Sequence, residues 1–160
     1  MTKRVYTQTF GVAGAIIERD GKILLVKENS PSAKGKWSHP AGWIEVGESP
    51  IDAVRKEVRE ETGFDFNPKN ILGVYSIFKN KNDVESFHHG IKIIYIGKIS
   101  ENQGKFLQDE ISETKWFAPE EIEKMDLNVL RDLDIKQMVK DYFSGTKYPL
   151  DLITHTTQPE

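Results

Sequence analysis

The stretch Gly42–Phe64, GWIEVGESPIDAVRKEVREETGF, contains five glutamates, and three of them (Glu57, Glu60 and Glu61) crowd its end just before Thr62 and Gly63. Its middle predicts where a helix begins. Ser49 is a favoured N-cap, Pro50 suits the first helical position, and Asp52 falls in the positively polarised first turn. Ile51, Val54 and Val58 recur three and four residues apart as an apolar stripe, and Gly63 is suited to a left-handed C-cap. On that helix Glu57, Glu60 and Glu61 share one face, expected to be rotated away from the stripe. Like charges so spaced cost roughly 0.2–0.5 kcal/mol per pair, and the last turn favours cations rather than acids. Two readings follow. Either the face is simply solvated, with Lys56 and Arg59 compensating, or a hard divalent cation such as Mg²⁺ supplies the missing positive charge.

The rest of the chain sets bounds on these readings. At 160 residues it is long enough for one domain with a substantial core, expected to run over residues 1–160 with about 155–160 as a loose tail. A composition of 38% hydrophobic and 29% charged residues excludes a membrane protein and a wholly disordered one. The formal net charge of -3 offers no electrostatic case for nucleic-acid or membrane binding. The chain has no cysteine, hence no disulfide or thiolate chemistry, which suits a reducing, cytoplasmic setting. Whether it is a monomer or a homodimer is open at this level.

Outward from the helix, Phe10–Ile17 and Lys22–Val26 read as strands joined by a hairpin at Asp20–Gly21. Residues 28–42 read as loop. Ile71–Phe78, Gly90–Ile99 and the segment ETKWFAP read as further strands. Glu120–Met125 and Leu130–Phe143 read as helices, the latter capped by Gly145. That order implies an α/β (α+β) fold with helices packed against a mixed sheet.

The offsets of Gly42, Glu48, Lys56, Glu57, Val58, Glu60, Glu61, Gly63 and Phe64 form the pattern G-x5-E-x7-K-E-V-x-E-E-x-G-F, which resembles the Nudix box of the MutT-like Nudix hydrolases. The resemblance extends to VAGAIIERDGKILLVKE, GKWSHPAG and ETKWFAPEEI, and the ending YFSGTKYPLDLI is similar to the NudJ-type phosphatase branch. It implies a Nudix-like α/β/α sandwich. It also implies metal-assisted attack of water on a phosphorus of a nucleoside diphosphate linked to another group. By the same resemblance Glu57, Glu60 and Glu61 hold Mg²⁺, with Mn²⁺ as a possible substitute, and position water, while the main-chain carbonyl of Ala41 completes the shell. Glu48 steadies the loop against the helix. Lys56 departs from the family's usual Arg, replacing a planar fork by a mobile point charge.

A further acid, as base or metal ligand, is expected from a later loop. Glu110 and Glu113 are the candidates, and Glu110 is preferred because Glu113 abuts the expected strand. The implied partner is a small phosphorylated substrate, such as a nucleoside tri- or diphosphate or a thiamine-precursor pyrophosphate. The alternatives are an oxidised-nucleotide pyrophosphohydrolase and a catalytically silent nucleotide sensor. No proline lies about fifteen residues past the box, where the ADP-ribose branch tends to carry one. Trp37 and Tyr75 are candidates for stacking on a base, with packing the stronger expectation for each. His88–His89 are read as ordinary polar residues, and Tyr148–Leu150 as a pin for the tail.

Overall fold

The computed structural model describes residues 9–79, 88–107 and 109–159. Two sheets form the frame. The first is mixed, in the order β5 (Ala41–Trp43), β1 (Thr9–Ala15), β7 (His88–Ile99), β6 (Phe66–Lys79); β1 runs parallel to β7, and the other pairs are antiparallel. The second joins β2 (Glu18–Arg19), β3 (Lys22–Glu28) and β4 (Trp37–Ser38), with β8 (Ile111–Phe117) also paired to β3. Helix α1 (Pro50–Thr62) packs over β1, β5 and β6, and α3 (Asp134–Phe143) packs on β6, with the short α2 (Pro119–Lys124) before it.

Strand parity decides which side chain meets which helix. Ala13, Ala15, Ile71, Tyr95 and Leu24 join Ala53, Val54 and Val58 in a core beneath α1. Their neighbours Leu72, Ile94, Ile23 and Leu25 join Ile135, Met138 and Val139 in a second core on the α3 side. The helix termini follow the sequence closely. Ser49 Oγ accepts from the Asp52 N–H at 3.2 Å, and Gly63 closes α1 with φ 75°, its N–H donating to the Arg59 carbonyl.

Some boundaries differ from expectation. β6 begins at Phe66 rather than Ile71, because its edge position and register shifts at Pro68/Asn70 and Ile71/Gly73 let it follow β7 almost throughout. The last helix starts at Asp134, not Leu130. The preceding turn is held to β4, the Trp37 N–H donating to Val129 O and the Arg131 N–H to Trp37 O, which leaves Leu130 buried but non-helical. Among the described residues no helix is long and apolar enough to cross a membrane. The tail is pinned by a two-way backbone bridge between Tyr148 and Ile71.

Candidate active site

The acidic end of α1 is not a purely solvated face. Val54, Val58 and Glu61 are related by four and three residues, so Glu61 continues the apolar stripe instead of turning from it, and it is only 6% exposed. This corrects the expectation that all three carboxylates stay clear of the core. Glu61 Oε2 accepts from the Ala41 N–H at 3.0 Å, and among the described residues no side-chain cation forms an ion pair with it. Burial first, then the charge of Glu28, hold its carboxyl well above the usual range, with Glu57 and Glu110 adding and the Ala41 N–H opposing.

Glu57 points back over β5. A Cβ at Gly42 would land on its carboxylate, so only glycine leaves that space. Burial and then Glu60 push the Glu57 carboxyl up to about 7; Lys56 opposes, while Glu110 and Glu48 add. Lys56 ties the loop to the helix, reaching Glu48 at 2.8 Å, Glu45 at 3.7 Å and Glu57 at 4.0 Å. Glu48 also accepts from the Glu45 N–H at 3.1 Å. Because Lys56 spreads one point charge over three acids, Lys56→Arg should leave turnover unchanged or tighten Mg²⁺ dependence through bidentate pairing. A Mg²⁺ titration of the initial rate checks this, and a severe loss would reveal a contact specific to lysine.

The two loop acids separate. Glu110 lies in the turn before β8 and its charge is felt by both Glu57 and Glu61. Glu113 lies on β8 opposite Lys27 and pairs with it at 3.4 Å. Sequence reasoning missed Glu28, a buried acid whose Oε1 accepts from Arg131 at 2.8 Å. Its signal was strand parity: the two-residue period from Leu24 through Val26 puts Glu28 on the face beneath α1. Among the described residues no three His, Asp or Glu side chains converge as a metal cage. The donor chemistry nonetheless fits a hard cation. It is all oxygen and strongly anionic, and burial first, then neighbouring acids, disfavour the charged forms of Glu57 and Glu61, a cost that a divalent ion would offset.

Beside this cluster, on the α3 side of the mixed sheet, is a cleft of about 590 Å³. Its walls include Phe10, Val12, Trp43, Phe78, Lys79 and Arg131. Trp43 is 59% exposed and stacks on Phe10 with ring centroids 4.5 Å apart. Lys92, nearly buried in the floor, pairs with Asp132 at 3.1 Å and Asp134 at 2.8 Å. Against the pull of burial, Lys92 and Lys79 hold the Asp132 carboxyl down at about 2. His39 is also buried; burial, then Lys92 and Arg131, bring its pKa to about 3 against Asp132, so its ring is neutral. Trp37 packs edge-on to Phe117 in the core, and the Tyr75 hydroxyl donates to Asp141 at 2.6 Å. Trp43, an exposed ring in the cleft wall, is one that the sequence reading did not single out. His89 Nε2 meets Ser76 Oγ at 2.7 Å, and the side chain of His88 lies outside the described residues.

The glutamate-lined end of α1, its glycine-spaced strand and the neighbouring cleft are where similarity to known proteins becomes informative. The sequence matches the NUDIX domain over residues 7–137, and the chain belongs to the Nudix hydrolase family of enzymes. It is 35% identical over 141 residues to the ADP-ribose pyrophosphatase of Methanocaldococcus jannaschii, covering 87% of this chain and 76% of that one. It is 27% identical over 139 residues to phosphatase NudJ of Escherichia coli K12, covering 86% of each. A solved NUDIX hydrolase from Nitrosomonas europaea superposes with a TM-score of 0.80 at 31% identity, covering 93% of this chain and 98% of that one.

Proposed function

We propose that this chain is a divalent-metal-dependent hydrolase of phosphoanhydride bonds in small nucleoside-diphosphate-like substrates. The observation that carries the reading is Glu61: a buried carboxylate among other carboxylates, held by a backbone N–H alone. Glu57, Glu60, Glu61 and Glu110, with the main-chain carbonyl of Ala41, would hold Mg²⁺. Bound there, the ion would neutralise phosphate charge and acidify a water. Glu57 and Glu110 are the two candidates for accepting the proton of the attacking water. Trp43 and Phe10 offer a flat apolar surface to a base, and the adjoining cleft is of a size for a nucleoside.

Release of phosphate from nucleoside tri- and diphosphates, or from thiamine-precursor pyrophosphates, is the NudJ-like form of this activity. Cleavage of ADP-ribose is the second reading, favoured by the archaeal relative at 35% identity despite the missing proline. The deciding assay offers nucleotides, ADP-ribose and thiamine-precursor pyrophosphates with Mg²⁺, and scores phosphate, pyrophosphate and AMP. Binding of nucleotide with Mg²⁺ but hydrolysis of none of the panel would establish a sensor instead.

The acids before and on β8 provide a second test. Glu110→Gln should lower kcat by about tenfold or more with a smaller change in KM, because its contribution is made chiefly in the transition state. Glu113→Gln, which only releases Lys27, should change kcat less than about twofold. Steady-state kinetics of both variants decide the assignment, and damage confined to Glu113→Gln would reverse it.

A further inference from the structure

The carbonyl end of α1 is capped by the segment between β7 and β8. A helix leaves its last carbonyls unpaired, and here those of Glu60 and Thr62, with that of the capping Gly63, find donors between Gln103 and Leu107. The Thr62 carbonyl accepts from Gln103 Nε2 at 2.7 Å. The Gly63 carbonyl accepts from the Gly104 N–H, and the Glu60 carbonyl from the Leu107 N–H, each at 2.7 Å. Gln103 Nε2 also donates to Thr114 Oγ1 on β8 at 3.0 Å, so one amide joins the helix end to the strand.

The same segment then holds Glu110. The Leu107 carbonyl accepts from the N–H groups of Glu110 at 3.3 Å and Ile111 at 3.0 Å. The Glu110 carbonyl accepts from the Asn29 N–H at 2.8 Å, and Asn29 Nδ2 reaches the Asp109 carbonyl at 3.2 Å. Asn29 directly follows the buried Glu28. Backbone hydrogen bonds therefore connect Glu60 on α1, through Leu107, to Glu110, and Glu110 to the end of β3. Glu60, Glu110 and the residue after Glu28 are thus tied by backbone hydrogen bonds, and Gln103 adds a side-chain anchor to both α1 and β8.

From this geometry we infer that Gln103 is a positioning residue for hydrolysis, fixing the Glu110 turn relative to the carboxylates of α1. Gln103 is exposed and, among the described residues, its side chain bonds to the Thr62 carbonyl and Thr114 and to none of those carboxylates, so it acts through the turn. A role limited to capping would affect stability alone. A positioning role must also affect how tightly the acids hold a cation and how fast the chain turns over. The inference rests on the assignment of Glu110 made above.

The experiment is a double-mutant cycle on the full chain, with Mn²⁺ affinity measured by titration and kcat measured on whichever nucleotide the panel identifies. Gln103→Ala should weaken Mn²⁺ binding and lower kcat by about tenfold each, as loss of a supporting hydrogen bond behind metal ligands does. KM should move less than about twofold. In a Glu110→Gln background the same change should add little, because the effect travels through Glu110. Gln103→Met, which keeps length and loses the donor, repeats the test if the alanine variant folds poorly. A lowered melting temperature with unchanged Mn²⁺ affinity and kcat would overturn the inference, as would a full effect persisting without the Glu110 carboxylate. If Glu110→Gln alone leaves both quantities unchanged, the assignment of Glu110 itself falls.

Discussion

Glu61→Gln is expected to lower turnover at saturating Mg²⁺ by at least about a hundredfold, the scale lost when a group organising charge in the transition state is removed. The substitution keeps the side-chain volume, and the amide oxygen can still accept from the Ala41 N–H. What disappears is an ionisable group whose charged form burial, and then Glu28, Glu57 and Glu110, disfavour. Stability should move the other way. A carboxyl whose folded pKa lies above its unfolded value binds more protons when folded. Unfolding free energy then falls as pH rises from the ordinary carboxylate range through the raised one, and it stays reduced above that. In chelator at neutral pH, Glu61→Gln should therefore melt no lower than the parent, and the difference should close in acid. Added Mg²⁺ should raise the parent's melting temperature and leave that of the variant nearly unchanged. Parental turnover in Glu61→Gln would end the assignment.

Gly42→Ala is the second change expected to be severe, by about a hundredfold in kcat, the lower end of what a positioned general base contributes. The added methyl would occupy the position of the Glu57 carboxylate. The obstructed group is the end of a flexible side chain rather than backbone, so β5 should remain in place and the melting temperature should shift by only a few degrees. Glu57 must swing away, and small displacements of a catalytic group carry large kinetic costs. The control is Glu57→Gln: combined with it, Gly42→Ala should cost little more. Undiminished kcat in the single variant would show that the placement of Glu57 is unimportant.

The helix and the acids on it were legible in the sequence because their signals are local. Ser49, Pro50 and Gly63 each mark a terminus by its own backbone requirement, and three- and four-residue spacing fixes which side chains neighbour one another. The depth of Glu61 was not legible in the same way. It depends on Ala41 and Glu28, which lie far away in sequence and arrive only when β5 and β3 pack beneath α1. Leu130 misled for a related reason. Its apolar periodicity is helical, but two backbone hydrogen bonds to Trp37 hold the flanking residues out of the helix. Trp43 escaped notice because solvent exposure of an aromatic is decided by what the rest of the chain leaves uncovered. What the sequence could not show for Glu113 is register, since only pairing with β3 places Lys27 opposite it.

Strand β5 is three residues long, and its pleat divides two kinds of work. Gly42 pairs with Ala13 and turns toward the Glu57 carboxylate on α1; Trp43 pairs with Val12 and turns to the opposite face, where the cleft opens. A change at the tryptophan alters the cleft wall and leaves open the space that the Glu57 carboxylate fills, whereas a side chain at the neighbouring glycine closes it. On the function proposed above, cutting and choosing would therefore fall to opposite sides of a single ribbon, and the two could be altered separately.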